Sequence, residues 1–418
     1  MKTALARSIV LCLLLAGPTV AAEWMQYRGP GGLATSDQTG LPVTWSEREN
    51  IVFKTDLPGP GTSSPIVVSG RIYLTCYSGY GLKPNEGDMN DLVRHVVCVD
   101  RKGGRILWTK SFKPELPESK YSGVNESQHG YSSSTIASDG ERLYVFFGKS
   151  GVYCLDLDGD QLWHADVGKG TDGWGSSNSP VIYKNLILIN ASVESRSLVA
   201  LDKMTGEEVW RAGGMRSSWN TPLLVDLPGG KTEAVVVVSG QILGFEPSSG
   251  KELWRSNGFG GYVCPSPVAH GGIVYAIQRS ALAIRAGGRG DVSETHQLWE
   301  TPGGATVPSP VYHDGHLYWV RGGGTVSCLN VATGEIVYRK RLNPKASRIY
   351  ASVIVADGKL YCVSQQSGTY VLAAQPEFKL LAHNVFEDDD SRTNASPIVD
   401  DGQLLLRTDR RLYCIGKK

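Results

Sequence analysis

Aromatic, amide and basic side chains recur in this 418-residue chain at two kinds of place, each a gap between short apolar runs. The first set is His129, Tyr131, Trp174, Asn178, Arg216, Trp219, Asn220, Tyr262, Thr306, Tyr350, Arg392 and Asn394. The second is mostly basic: Lys149, Glu194, Arg196, Arg279, Arg321, Arg407 and Arg410. Flat rings stack on ligands, and a guanidinium grips a carboxylate or sulfate through two parallel hydrogen bonds. The combination suits non-covalent recognition of an anion. A structural role competes with it. The rings could pack on one another, and the arginines could pair with Glu194, Asp409 or the run Glu387-Asp388-Asp389-Asp390.

Motifs for covalent or metal chemistry are missing. There is no Gly-x-Ser-x-Gly and no His-Glu-x-x-His. The run from Glu387 to Asp390 offers carboxylates to calcium but lacks the spaced Asp/Asn-Gly pattern of a calcium loop, so a solvated loop is expected. His313-Asp314-Gly315-His316 reads as a tight turn with no further ligands, and Arg289-Gly290-Asp291 as a chance tripeptide. No metal site is expected. Lys+Arg (42) and Asp+Glu (41) balance, which gives no reason to expect nucleic-acid binding.

Residues 1–22 read as a secretory signal. Lys2 and Arg7 precede the apolar run Ile9 to Val20, and Val20-Ala21-Ala22 offers a cleavage site. Gly17-Pro18 breaks the run, which is too short to span a bilayer comfortably. No later segment is apolar enough to cross a membrane. An exported monomer, periplasmic or secreted, is expected, with residues 23–418 as one domain.

That domain is built from a repeat. A Ser/Thr-Pro-like strand start recurs at Pro65, Thr135, Pro180, Pro222, Pro267, Pro310, Val353 and Pro397. After a long first interval, enlarged by loops at about 78–95 and 113–131, every interval is 42 to 45 residues. Each unit holds four short apolar runs joined by turn residues, and 50 glycines are spread through the chain. This grammar predicts an all-β fold: an eight-bladed β-propeller of four-stranded antiparallel blades. The last unit stops at Cys414-Ile415-Gly416 without a fourth run. Asn50-Ile51-Val52-Phe53 resembles the missing one, so an N-terminal strand should close the ring.

The sharpest signature is the third turn, fullest at Ala200-Leu201-Asp202-Lys203-Met204-Thr205-Gly206-Glu207-Glu208-Val209-Trp210. Asp and Thr bond the turn backbone, Gly supplies a positive φ, and Trp offers a flat face to the neighbouring blade. Trp108, Trp163, Trp210, Trp254 and Trp299 occupy this docking position. Cys98, Cys154, Cys328 and Cys414 share another repeat position, where a small apolar side chain is wanted. Equivalent positions lie far apart around a ring, so free thiols are expected there. No pairing suggests itself for Cys76, Cys264 and Cys362.

Residues 200–210 resemble the tryptophan-docking motif of the PQQ-like (pyrroloquinoline-quinone-type) propeller repeat family, within the WD40/YVTN-like class. The wording from Tyr27-Arg28-Gly29-Pro30 onward is similar to exported bacterial members of that family. The resemblance implies two activities. One is the non-catalytic scaffold of the outer-membrane β-barrel assembly machinery, whose lipoprotein cysteine this chain lacks. The other is a PQQ-dependent dehydrogenase with calcium, whose adjacent-cysteine disulfide it also lacks. The leading expectation is a cell-envelope binding or scaffold protein that requires no cofactor. Its partner would be an envelope protein, an anionic glycan or a small molecule at the mouth of the channel. An enzyme or lectin acting on acidic polysaccharide is the first alternative, and the dehydrogenase is the second.

Overall fold

In the computed structural model, residues 23–83, 86–120 and 130–417 are described. The leader 1–22 and His129 lie outside them. The described residues form eight sheets. Blade 1 comprises Ile66–Val68, Arg71–Ser78, Val93–Asp100 and Ile106–Phe112. The remaining innermost strands are Ala137–Ser138, Val181–Tyr183, Leu223–Leu227, Val268–His270, Val311–His313, Ile354–Ala356 and Ile398–Asp400. The middle strands are apolar and almost wholly buried, as in Leu186–Ala191. Outer strands alternate, because only one of their faces meets a neighbouring blade.

Ring closure follows the expected route. Ile51–Asp56 pairs antiparallel with Arg411–Ile415, and Phe53 stands opposite Cys414. Trp108 faces Cys98, Trp163 faces Cys154 and Tyr338 faces Cys328 in the same register. Phe53 therefore takes the tryptophan position of blade 8. A Cβ on Gly104 of blade 1 would overlap its ring. All seven cysteines among the described residues are free thiols.

The third turn works as a docking device. Asp202 accepts the amides of Met204 (2.8 Å) and Thr205 (3.0 Å). Gly206, at φ 77°, lies flat beneath Trp163 of the preceding blade, where a Cβ would come within 2.6 Å of the ring. The Trp163 indole donates to the Lys203 carbonyl at 3.1 Å, Trp210 to Pro247 at 3.1 Å and Trp299 to Val331 at 2.8 Å. Trp254 differs, donating to the Glu233 carboxylate at 2.6 Å.

The Ser/Thr before each inner strand forms a second set of links. The amide of Ser64 donates to the Thr135 hydroxyl, Thr135 to Ser179, Ser179 to Thr221, and Thr221 to Ser266. Ser266 then donates to Ser309, Ser309 to Ser352, and Ser352 to Ser396. Thr135 thus matches Ser64, not Pro65. Ala137 pairs with Tyr144 as Ile66 pairs with Tyr73, which confirms a one-residue offset from the sequence register.

One feature has no counterpart in the repeat. The segment from Trp24 to Ser36 lies in the central channel. Trp24 accepts the amide of Val67 (2.9 Å), Met25 that of Ser138 (2.8 Å) and Ala34 that of Val355 (2.9 Å). Arg28 donates to the Pro310 carbonyl, and Thr35–Ser36 adds to blade 7 as a parallel strand. The chain then runs outward, with the Leu41 amide on Asp357 (3.1 Å) and the Trp45 amide on Asn384 (2.9 Å).

Candidate functional site at the channel mouth

Antiparallel pairing puts two loop sets on one face: those joining consecutive blades, and those joining second to third strands. The loops before blades 3, 4 and 5 meet there. Tyr262 lies 5.9 Å from Trp174 and 5.5 Å from Trp219, measured between ring centroids. The Trp219 indole donates to the Gly175 carbonyl at 2.7 Å, and its amide donates to Val263 at 2.9 Å. Asn220 is fully buried and bonds Val237 and Val263. Three loops are thereby tied together, yet Tyr262 keeps 59% of its surface in solvent.

Arginines lie on further loops of the same face. Arg196, Arg216, Arg279 and Arg321 are exposed, on successive loops of blades 3 to 6. Among the described residues none of them has a carboxylate partner. Arg348, before blade 7, is also exposed without a carboxylate partner, donating instead to the Tyr350 hydroxyl at 3.4 Å and lying over its ring at 5.8 Å. Sequence reading missed Arg348, although Tyr350 two residues on was singled out. Thr306 is exposed beside this sector.

Other expected members are structural. Arg407 is 1% exposed and donates to the Thr75 carbonyl at 2.7 Å and the Ser63 hydroxyl at 3.2 Å. It is a strut between blades 8 and 1 rather than part of the mouth surface. Arg392 pairs with Asp409 at 3.5 Å, and Arg410 with Asp390 at 2.9 Å. Asn394 accepts from Gln365, and Lys149 donates to the Pro117 carbonyl. Tyr131 packs in a separate cluster with Tyr77 and Tyr80. The acidic run is not a plain solvated loop: Asp388 pairs with Lys54 and Arg411, and buried Asp389 accepts from Thr408 and Tyr413.

Glu194 does not pair with an arginine. It is buried, accepts from Ser176 through Oε1, and has no partner at Oε2. Burial pushes its carboxyl up to about 7. Asn178, also buried, has no partner for its side-chain amide. Among the described residues no three His, Cys, Asp or Glu side chains come together to hold a metal.

Comparison with known proteins places this chain in a family. A family model described as outer membrane protein assembly factor BamB matches residues 94–289 and 283–416. The chain is 24% identical over 345 residues to BamB of Burkholderia pseudomallei (strain K96243), covering 76% of this chain and 77% of that protein. It is 22% identical over 335 residues to tetrathionate hydrolase of Acidithiobacillus ferrooxidans (strain ATCC 23270), covering 71% of this chain but only 61% of that protein. Quinohemoprotein alcohol dehydrogenase from Comamonas testosteroni superposes with a TM-score of 0.65 at 11% identity, over 95% of this chain and 81% of that one. At that identity the likeness is one of fold. The match over most of its length shows that the chain belongs to the BamB-type PQQ-like propeller family.

Proposed function

We propose that this protein is an exported, non-catalytic propeller that holds an acidic partner of the cell envelope on its mouth face. One observation carries the reading. The exposed arginines Arg196, Arg216, Arg279, Arg321 and Arg348 lack carboxylate partners among the described residues and sit on the same loop face as the Trp174–Trp219–Tyr262 cluster. Arginines without carboxylate partners, together with the exposed Tyr262 ring, are what an anionic surface engages, and rigid blades pre-organise them. Membership of the BamB-type family supports a protein partner and an envelope location.

The test compares the mature wild-type chain with Arg216→Ala/Arg321→Ala and with Tyr262→Ala as baits for envelope extracts. An acidic partner retained by wild type and lost by both variants is the expected result. Equal capture by all three baits overturns the site. Sulfated and uronic polysaccharides, tetrathionate, and PQQ with calcium belong in a parallel thermal-shift panel. A shift with a polysaccharide alone favours the glycan reading. A shift with PQQ and calcium restores the dehydrogenase reading.

A further inference from the structure

We infer that the central channel contains a binding site for a small oxyanion, built on Arg28. This site is separate from the mouth arginines and does not rest on the proposed function. Arg28 is 2% exposed, and among the described residues no carboxylate pairs with it. Its Nε donates to the Gly32 carbonyl at 3.1 Å and its Nη2 to the Pro310 carbonyl. Its Nη1 is buried and has no partner. A guanidinium taken out of water without a counter-charge is strongly destabilising. Burial accordingly lowers its pKa to about 10.

The same residue lines a cavity of about 240 Å3 in the channel, between the Gln26–Gly32 segment and the inner strands of blades 3 to 5. Thr221 and Ser266 stand on its wall. Each hydroxyl oxygen already accepts an amide, from Ser179 at 3.0 Å and from Thr221 at 2.9 Å. Neither hydroxyl donates to any described residue, so both O–H groups remain available. No Asp or Glu lines the cavity. One uncompensated cation, two free hydroxyl donors and the absence of any acidic wall define the chemistry of the occupant: an anion with several acceptor oxygens, small enough for the cavity.

The experiment uses the mature chain with inorganic sulfate as probe, at constant ionic strength. Sulfate also stabilises proteins non-specifically, without saturation. A specific site instead gives a saturable rise in melting temperature. The expected result is saturation in wild type and a Kd weakened roughly tenfold or more in Arg28→Met. A rise that never saturates, or one identical in Arg28→Met, overturns the inference. If Arg28→Met does not fold, crystals of wild type soaked in selenate decide. An anomalous peak in the cavity beside Arg28, Thr221 and Ser266 supports the site. Peaks confined to surface arginines, or none, reject it.

Discussion

The backbone amide of Ser64 donates to the hydroxyl of Thr135, 71 residues along the chain and one blade around the ring, at 2.9 Å. Seven such links run from blade 1 to blade 8, each joining the start of one inner strand to the start of the next. Every amide involved is buried and has no ladder partner. Ser179→Ala should therefore orphan the Thr135 amide at a cost of about 1–3 kcal/mol. Ser179→Thr should keep the acceptor and most of the stability. Thermal unfolding of the two variants checks this.

The closing strand gives a second expectation. Phe53 fills the position that tryptophan holds in other blades and covers Gly104. Phe53→Ala should lower stability by about 2–3 kcal/mol and loosen the outer edge of blade 8. Hydrogen exchange should then quicken along Arg411–Ile415. Phe53→Trp should be tolerated.

Glu194 predicts a pH dependence. Its carboxyl titrates near pH 7 in the folded chain, against an ordinary value of 4.5. The folded state thus binds more protons than the unfolded state between those values. Its contribution is intact below about pH 4.5 and is lost as pH rises through about 7. Glu194→Gln should remove that loss, a difference on the order of a few kcal/mol at pH 8. Melting temperatures of both proteins from pH 4.5 to 8 give the comparison.

The thiols give a fourth. Burial raises Cys98 and Cys414 to about 11 and Cys154 and Cys264 to about 12. An aromatic disulfide reagent at pH 8 should find no fast-reacting thiol in native residues 23–418. Seven should react after unfolding in the absence of reductant. A native disulfide would reduce that number.

The blades were legible in the sequence because each repeats a local physical rule. Asp202, Gly206 and Trp210 form a turn and its anchor within eleven residues, and copies of that pattern count the ring. The same reasoning found Phe53, since a four-stranded blade without its outer strand leaves an edge. It slipped by one residue at Thr135, where no proline marks the strand start. The mouth was only partly legible. Arg321 and Arg407 look alike in sequence, yet Arg321 is the first residue of an exposed loop, whereas Arg407 ends the strand Gln403–Arg407 at the buried position that Val320 holds in blade 6. The difference is one residue of register, and Ser63 and Thr75 of the next blade supply the acceptors that satisfy the buried guanidinium. The channel segment was not legible at all. Tyr27-Arg28-Gly29-Pro30 has no periodicity, and the burial of Arg28 depends on inner strands up to 282 residues away.

The placement of the N-terminal segment also fixes an order of events in time. Thr35 pairs with Val355 and Ile51 with Ile415, so these early residues must wait for partners made several hundred residues later. At ordinary synthesis rates that wait is on the order of tens of seconds. Such long-range pairing is slow to form even when both partners are present. Pairing across the ring therefore waits until both partners have been made. A chain truncated within its eighth blade leaves Ile51–Asp56 unpaired, an exposed strand edge open to proteases and chaperones.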